Sequence, residues 1–338
     1  MNAVIKRPSL VVPDRLSREE MEALGRLNGW RFSLALGCDL GIFAAAIAAS
    51  EFFFFNPLVY ACSVIVIGSR LHALGVLMHD CVHYRAYTSR RLSMAVGNIL
   101  GWLVLTNAEG YRDHHLTHHR HLNTERDPDW TRKISEPKFH FPKRGRDVMQ
   151  AMLYQLSGLG ILELFFKLKK GAGKVRNDRT SAAPTPRRIR FLRPAGYAAA
   201  LALCAFTGTI DKLALYWLIP MLTTFPLIFY VRSLAEHHGN LPYDHTYTNS
   251  RTTIPNLIEG FLILPHNVGF HLEHHLYPHV PFYRLQDLHR LLMKRSQYAE
   301  KAHVTRGVST GLLRELVGTA RGPDVLEIQA QQRAALAE

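Results

Sequence analysis

The chain has 338 residues, with 41 Lys+Arg against 27 Asp+Glu, a formal net charge of +14, 47 % hydrophobic residues, 19 His and 4 Cys. Its plentiful apolar residues exclude a disordered chain, and four cysteines (Cys38, Cys62, Cys81, Cys204) without a CxxC pair exclude a disulfide scaffold, a zinc ribbon or a cysteine-held cluster. A mean hydropathy near zero would suit a basic soluble protein, but that average conceals strongly apolar segments beside strongly basic ones.

Residues 1–31 are polar and mixed in charge, with no cleavable signal pattern, so the first apolar segment is expected to serve as the insertion signal. Segment 32–50 is apolar apart from Asp39, and 52–69 carries no charge; Glu51 and Asn56-Pro57 break them apart. Segments 194–210 and 213–231 are charge-free and are separated by Asp211-Lys212. Each approaches the ~20 residues that cross a hydrocarbon core, so the expectation is four crossings in two tight hairpins. Segment 92–105 is apolar but too short to cross and suits an interfacial or re-entrant helix, as does amphipathic 148–166. Segment 167–193 is basic and rich in Gly, Pro, Ser and Thr, which reads as a flexible loop drawn to anionic headgroups. The tail beyond Gly307 reads as polar and helical.

The basic residues fix a topology. Segments 1–31, 79–193 and 232–338 hold all the Lys and Arg except Arg70 and Lys212. With four crossings these segments share one side, which the positive-inside rule makes the cytoplasm. The resulting organisation is a cytoplasmic segment 1–31, a transmembrane hairpin 32–78, cytoplasmic cap 79–193, a second hairpin 194–231, cap 232–306 and a polar tail 307–338. A multi-pass protein of a bacterial inner membrane, with both termini cytoplasmic, is expected; no nucleic-acid partner is.

Twelve of the 19 His fall in four short windows: His79-Asp-Cys-Val-His83, His114-His115-Leu-Thr-His118-His119-Arg-His121, His237-His238 and His271-Leu-Glu-His274-His275. On a helix, residues i, i+3 and i+4 share a face, so each longer window presents convergent imidazoles. A crossing that leaves the bilayer near Arg70 reaches His79 in about 13 Å, and one leaving near Arg232 reaches His237 in about 7 Å. All four windows therefore meet the same face of the membrane. Two ligands from the first, three from the second, one from the third and three from the last are too many for one tetrahedral zinc and suit two metals of five or six ligands. Imidazole alone does not select the metal; a site facing hydrocarbon favours redox-active iron, because breaking an unactivated C–H bond needs an oxidant derived from O₂.

The order HxxxH, HxxHH, a lone His in Ala235-Glu236-His237-His238-Gly239, and HxxHH running into Leu276-Tyr277-Pro278-His279-Val280-Pro281 resembles the membrane-bound fatty acid desaturase superfamily. The resemblance covers roughly residues 30–295. It implies an all-α integral membrane fold, with four transmembrane helices in two hairpins and a cytoplasmic helical cap. It also implies a non-haem di-iron centre (Fe2+/Fe3+), O₂ as co-substrate and desaturation of a fatty-acyl or similar chain. Carried over by position, the ligands are His79, His83, His115, His118, His119, His237, His271, His274 and His275. His114 or His121 is an alternate in the second box, His238 an alternate to His237, and His266 a further alternate. Carboxylates that would orient ligands are Asp80, Glu236, and Asp127 or Asp129, the last two in an Asp127-Pro128-Asp129-Trp130 element similar to one in the family; Asp113 and Glu273 suit a cap or a solvated charge equally well. Loss of two hydrogens yields an alkene and oxygen rebound an alcohol, so a hydroxylase or ketolase of an alkyl, carotenoid or secondary-metabolite substrate is the enzymatic alternative. A His-rich metal transporter is the alternative from another class, but it needs polar groups lining the crossings, where only Asp39 and Arg70 lie. No haem-binding His-Pro-Gly-Gly stretch or nucleotide glycine fingerprint occurs, so electrons are expected from a separate donor such as ferredoxin and its reductase. Trp102, Tyr111, Phe225 and Phe229 are candidates to shape a substrate channel.

Overall fold

The computed structural model describes residues 15–53, 56–161, 187–239, 241–243 and 245–317. Most of the basic loop 167–193 and most of the tail beyond Gly307 lie outside the described residues. The chain divides into two compact units. One, here the apolar unit, comprises Gly29–Asp113 and Met152–Tyr230; the other, the polar unit, comprises Met1–Asn28, His114–Ala151 and Val231–Glu338.

The apolar unit is built on long helices. Helix α2 (Gly29–Phe52) and helix α3 (Pro57–Val82) are separated at Asn56, whose side chain accepts from the Leu58 and Val59 N–H groups, while Pro57 starts the helix where no N–H is needed. They are preceded by the short α1 (Arg18–Gly25) of the polar unit, which Ser17 and Glu20 open as a reciprocal capping box. α3 ends at Val82 with His83 as its cap, so His79 sits inside the last turn of the helix. Then come α4 (Arg90–Leu103), α5 (Ala108–His121), α6 (Pro128–Ile134), α7 (Gly145–Leu156) and α8 (Arg187–Phe206).

Helix α9 is the near-continuous run Ile210–His237. Its parts are Ile210–Leu213, a π-helical Ala214–Leu218, Ile219–Leu222 and Thr224–His237. Pro220 and Pro226 account for the irregularity, since each lacks the N–H that would donate one turn back. α3 and α9 touch at Gly68: a Cβ there would collide with the Thr224 hydroxyl, which donates to the Val64 carbonyl at 2.8 Å.

Three described helices, α2, α3 and α9, are long and apolar enough to cross a membrane. The fourth expected crossing falls on α8, whose apolar part Phe191–Phe206 is shorter. It contains Pro194 and gives way to Gly208 at φ 64°. Only Phe32, Asp39 and Ser50 of the 24 residues of α2 are buried, while Trp30, Leu34 and Phe52 are more than half exposed. An apolar helix so little covered by protein needs an apolar solvent. Two ion pairs neutralise charges on the long helices: Arg70 meets Asp39 at 2.8 Å with both side chains buried, and Lys212 meets Glu51 at 2.6 Å beside the Tyr216 hydroxyl.

The polar unit adds α10 (Leu257–Leu262), α11 (His271–Leu276), α12 (Leu285–Leu292), α13 (Ser296–Lys301) and α14 (Leu313–Val317), with one parallel strand pair, β1 (Thr252–Ile254) and β2 (Val304–Arg306). Its apolar core gathers Leu16, Leu24, Tyr247, Phe270, Leu272, Leu288, Leu292 and Tyr298 around α11 and α12.

Candidate metal centre

Three elements of the polar unit carry histidines to one place. α5 supplies His115, His118 and His119, the last turn of α9 supplies His237, and α11 supplies His271, His274 and His275. The ligand atoms of His118, His237, His271 and His275 all lie within 4.8 Å of one another. The Nε2 atoms of His237 and His271 are 2.8 Å apart, those of His271 and His275 3.0 Å, and those of His237 and His275 3.3 Å. A second set stands beside them in the same unit, with Nε2 atoms of His119 and His115 2.9 Å apart and those of His119 and His274 3.0 Å apart. The His119 and His275 rings, one from each set, are 4.3 Å apart. In the apolar unit, His79 and His83 lie one helical turn apart with ring centroids at 4.8 Å, and the Tyr111 ring is 6.5 Å from that of His79.

The hydrogen bonds behind these rings decide what the converging nitrogens are. Asp127 is fully buried; it accepts from His118 Nδ1 at 2.9–3.0 Å and from the backbone N–H groups of Asn123, Asp129 and Trp130, capping α6 as it does so. Its carboxylate fixes the His118 proton on Nδ1 and turns the Nε2 lone pair inward. Glu236, held by Arg232 at 2.6 Å, lies 3.3 Å from His271 Nδ1 and acts in the same sense. Several inward lone pairs within about 3 Å repel one another unless a cation joins them. Metal–imidazole bonds of about 2.1 Å place adjacent nitrogens about 3.0 Å apart at right angles and about 3.4 Å apart at the tetrahedral angle. The observed spacings of 2.8–3.3 Å lie close to both values. Burial, together with the neighbouring His119, His271, His118 and His237, holds His275 well below the usual histidine range, so it is the neutral ligand form. Burial, with Arg112 and Arg85, likewise pushes His83 down to about 3.

The remaining expected residues are placed as follows. His114 turns away to Asp129 at 3.0 Å, and Asp129 also accepts from Arg132. Burial acts to raise the Asp129 carboxyl, but Lys133, the bond from His114, His118 and Arg132 together hold it well below the usual range. Asp80 lies 3.8 Å from His79 Nδ1. His238 is buried with its ring stacked on Phe139 at 4.8 Å, and His266, at φ 54°, packs its ring against Phe282. The His121 carbonyl accepts from Thr124. None of His114, His121, His238 and His266 offers a nitrogen to the converging sets among the described residues. Glu273 points the other way: two residues past His271 on a helix is the opposite face, and there it accepts from Thr252 at 2.8 Å, His289 at 2.5 Å and Tyr298 at 2.6 Å. Sequence spacing gave no sign of His289 and Tyr298 behind Glu273, or of Arg251 behind His237, because each is brought there only by tertiary contact. Phe225 and Phe229 stack at 6.3 Å and Phe229 meets His72, while the Trp102 carbonyl accepts from Tyr197.

Long apolar helices joined to a buried polyhistidine cluster define an α-helical membrane protein with a metal site. The fatty acid desaturase family matches residues 26–307, and the chain belongs to that family. A chloroplastic omega-3 fatty acid desaturase of Ricinus communis is 28% identical over 285 residues, which are 76% of this chain and 58% of the relative. An endoplasmic reticulum omega-3 fatty acid desaturase of Nicotiana tabacum is 27% identical over 250 residues, covering 69% of this chain and 63% of the relative. A chloroplastic sn-2 acyl-lipid omega-3 desaturase (ferredoxin) of Arabidopsis thaliana is 28% identical over 275 residues, covering 76% and 60%. The matched segments span less than two thirds of each of these relatives.

Proposed function

We propose that the chain is a membrane oxidoreductase that introduces a C=C bond into a fatty-acyl or similar lipid chain, using O₂, two iron ions and electrons from a separate donor. The observation that carries this reading is the convergence of the His118, His237, His271 and His275 nitrogens, with the carboxylates of Asp127 and Glu236 behind two of them. The proposed iron ligands are His79, His83, His115, His118, His119, His237, His271, His274 and His275. Bound iron supplies O₂ activation strong enough to remove hydrogen from an unactivated methylene. The chain's own residues do the rest. Asp127 and Glu236 hold two rings in the tautomer that presents Nε2 and raise their basicity. Burial keeps His83, His237 and His275 neutral and excludes water.

The membrane arrangement we propose has α2, α3, α8 and α9 crossing in two hairpins, with 79–193 and 232–306 on the cytoplasmic side with both termini. The Lys212–Glu51 ion pair supports it, since it joins the start of α9 to the end of α2, and the concentration of Lys and Arg in the polar segments supports the side. A ferredoxin-type donor is in keeping with the basic polar segments, and reduction by it should weaken as salt rises.

Lipid profiling of cells that express the chain tests the function. A new double bond that requires O₂ and vanishes in His271→Ala is the expected result. A hydroxylated product would move the reading to a hydroxylase, and unchanged product in His271→Ala would remove the site assignment.

A further inference from the structure

His118 and His271 are each oriented by a carboxylate on Nδ1, but the buried Nδ1 of His237 has no hydrogen-bond partner among the described residues. On the side away from the converging nitrogens, His237 is therefore held by its backbone. Its carbonyl accepts from the Tyr243 hydroxyl at 2.5 Å, and the carbonyls around it converge on Arg251.

The Arg251 side chain is wholly buried, an expensive location for a guanidinium. Its Nη1 donates to the carbonyls of Leu234 at 3.1 Å and His238 at 2.6 Å, on either side of His237 in the last turn of α9. Leu234 already accepts from the His238 N–H at 3.3 Å, and Arg251 adds a second bond to it; carbonyls at a helix end carry the negative end of the dipole, so a cation there stabilises them. The backbone of the same residue joins the two histidine-bearing segments: its N–H donates to the Glu236 carbonyl at 2.9 Å, and its carbonyl accepts from the N–H of Leu272, next to His271, at 3.2 Å. Nη2 donates to Glu315 at 2.6 Å. Glu315 also accepts from His303 at 2.8 Å and Thr305 at 2.5 Å. Gly239, at φ 92°, lets the chain pass this close: a Cβ there would stand 3.2 Å from Arg251 Nη2 and 3.2 Å from Leu316.

We propose that Arg251 is the positioning residue that fixes His237 against His271 and His275, with the half-buried Glu315 as its counter-ion. The inference rests on the metal-site reading above and extends it to residues outside the histidine boxes. It makes the segment carrying His303, Thr305 and Glu315 part of the support of the site.

The test uses the full chain, stripped of metal and held in nanodiscs, titrated with Co2+ and followed by its visible absorption, alongside hydrogen exchange of residues 231–239. Arg251→Met should weaken one of two cobalt sites by about 10–100-fold, leave the other unchanged and speed exchange across 231–239. Arg251→Ala should regain the weakened site on addition of methylguanidine, a rescue that general misfolding would not give. If neither variant yields folded protein, Arg251→Lys decides, because it keeps the charge but loses the fork; it should weaken the same single site. Two cobalt sites of undiminished affinity with unchanged exchange in the folded variants would overturn the proposal. A wild-type chain that takes up no cobalt would overturn the metal reading instead, and the exchange readout alone would then decide whether Arg251 holds the turn.

Discussion

The two units bury polarity in different ways. In the apolar unit, α2 buries only Phe32, Asp39 and Ser50 fully, and pairs Asp39 with Arg70 of α3. α3 is covered from Ile67 to Val82, with only Gly75 half-buried, and carries His79 in that stretch. In the polar unit the interior is itself polar: Arg251, Thr252, Thr253, Asp127 and Glu273 are all fully buried and held by named partners. A helix facing lipid requires only that its few charges be neutralised. A unit that must aim imidazoles requires a second layer of carboxylates and cations behind them.

The difference is open to attack at single residues. Asp39→Asn leaves the Arg70 charge buried without its anion and should cost about 3–5 kcal/mol, read as a fall in thermal midpoint in detergent; replacing Asp39 and Arg70 together by Leu and Met should recover most of the loss. Leu74→Ala, at a fully buried position of α3, should cost about 2–5 kcal/mol. Leu34→Ala, on the uncovered face of α2, should change stability by less than about 0.5 kcal/mol. Equal losses at Leu74 and Leu34 would mean that α2 is covered by protein. Asp127→Ala should weaken metal binding by about 10–100-fold and remove a helix cap worth about 1 kcal/mol.

The smallest effect concerns pH. Burial acts to raise the Glu315 carboxyl, but the bond from His303, the Arg251 charge and the Thr305 hydroxyl hold it at about 2, below the ordinary 4.5. A carboxyl lowered in the folded state stabilises the fold fully above its unfolded value and loses that contribution as pH falls toward the folded one. The stability gap between wild type and Glu315→Gln should therefore be constant from neutrality down to about 5 and close below 4.5. A gap that widens on acidification would contradict the assignment.

Much of this was legible in the sequence because it is local. Histidines at i, i+3 and i+4 share a helix face whatever the tertiary structure, and Asn56-Pro57 and Asp127-Pro128 announce helix starts by the same rules that operate in the fold. The apolar segments follow from composition alone, although 194–210 overstates what α8 delivers because Pro194 and Gly208 bound it. Asp39 and Arg70 were visible as the charges at the crossings, but that they pair is shown only by the structure. The Arg251–Glu315 contact spans 64 residues, and Glu273 meets His289 and Tyr298 from 16 and 25 residues away. No local periodicity encodes such partners, since they depend on how β1, α11 and α12 pack around one another.

Metal content of the purified chain tests the central claim most directly. Iron should be present at two ions per chain, and His271→Ala should reduce it. Absence of iron, or zinc in variable amount that the same substitution leaves untouched, would contradict the assignment of these histidines to an oxidative centre.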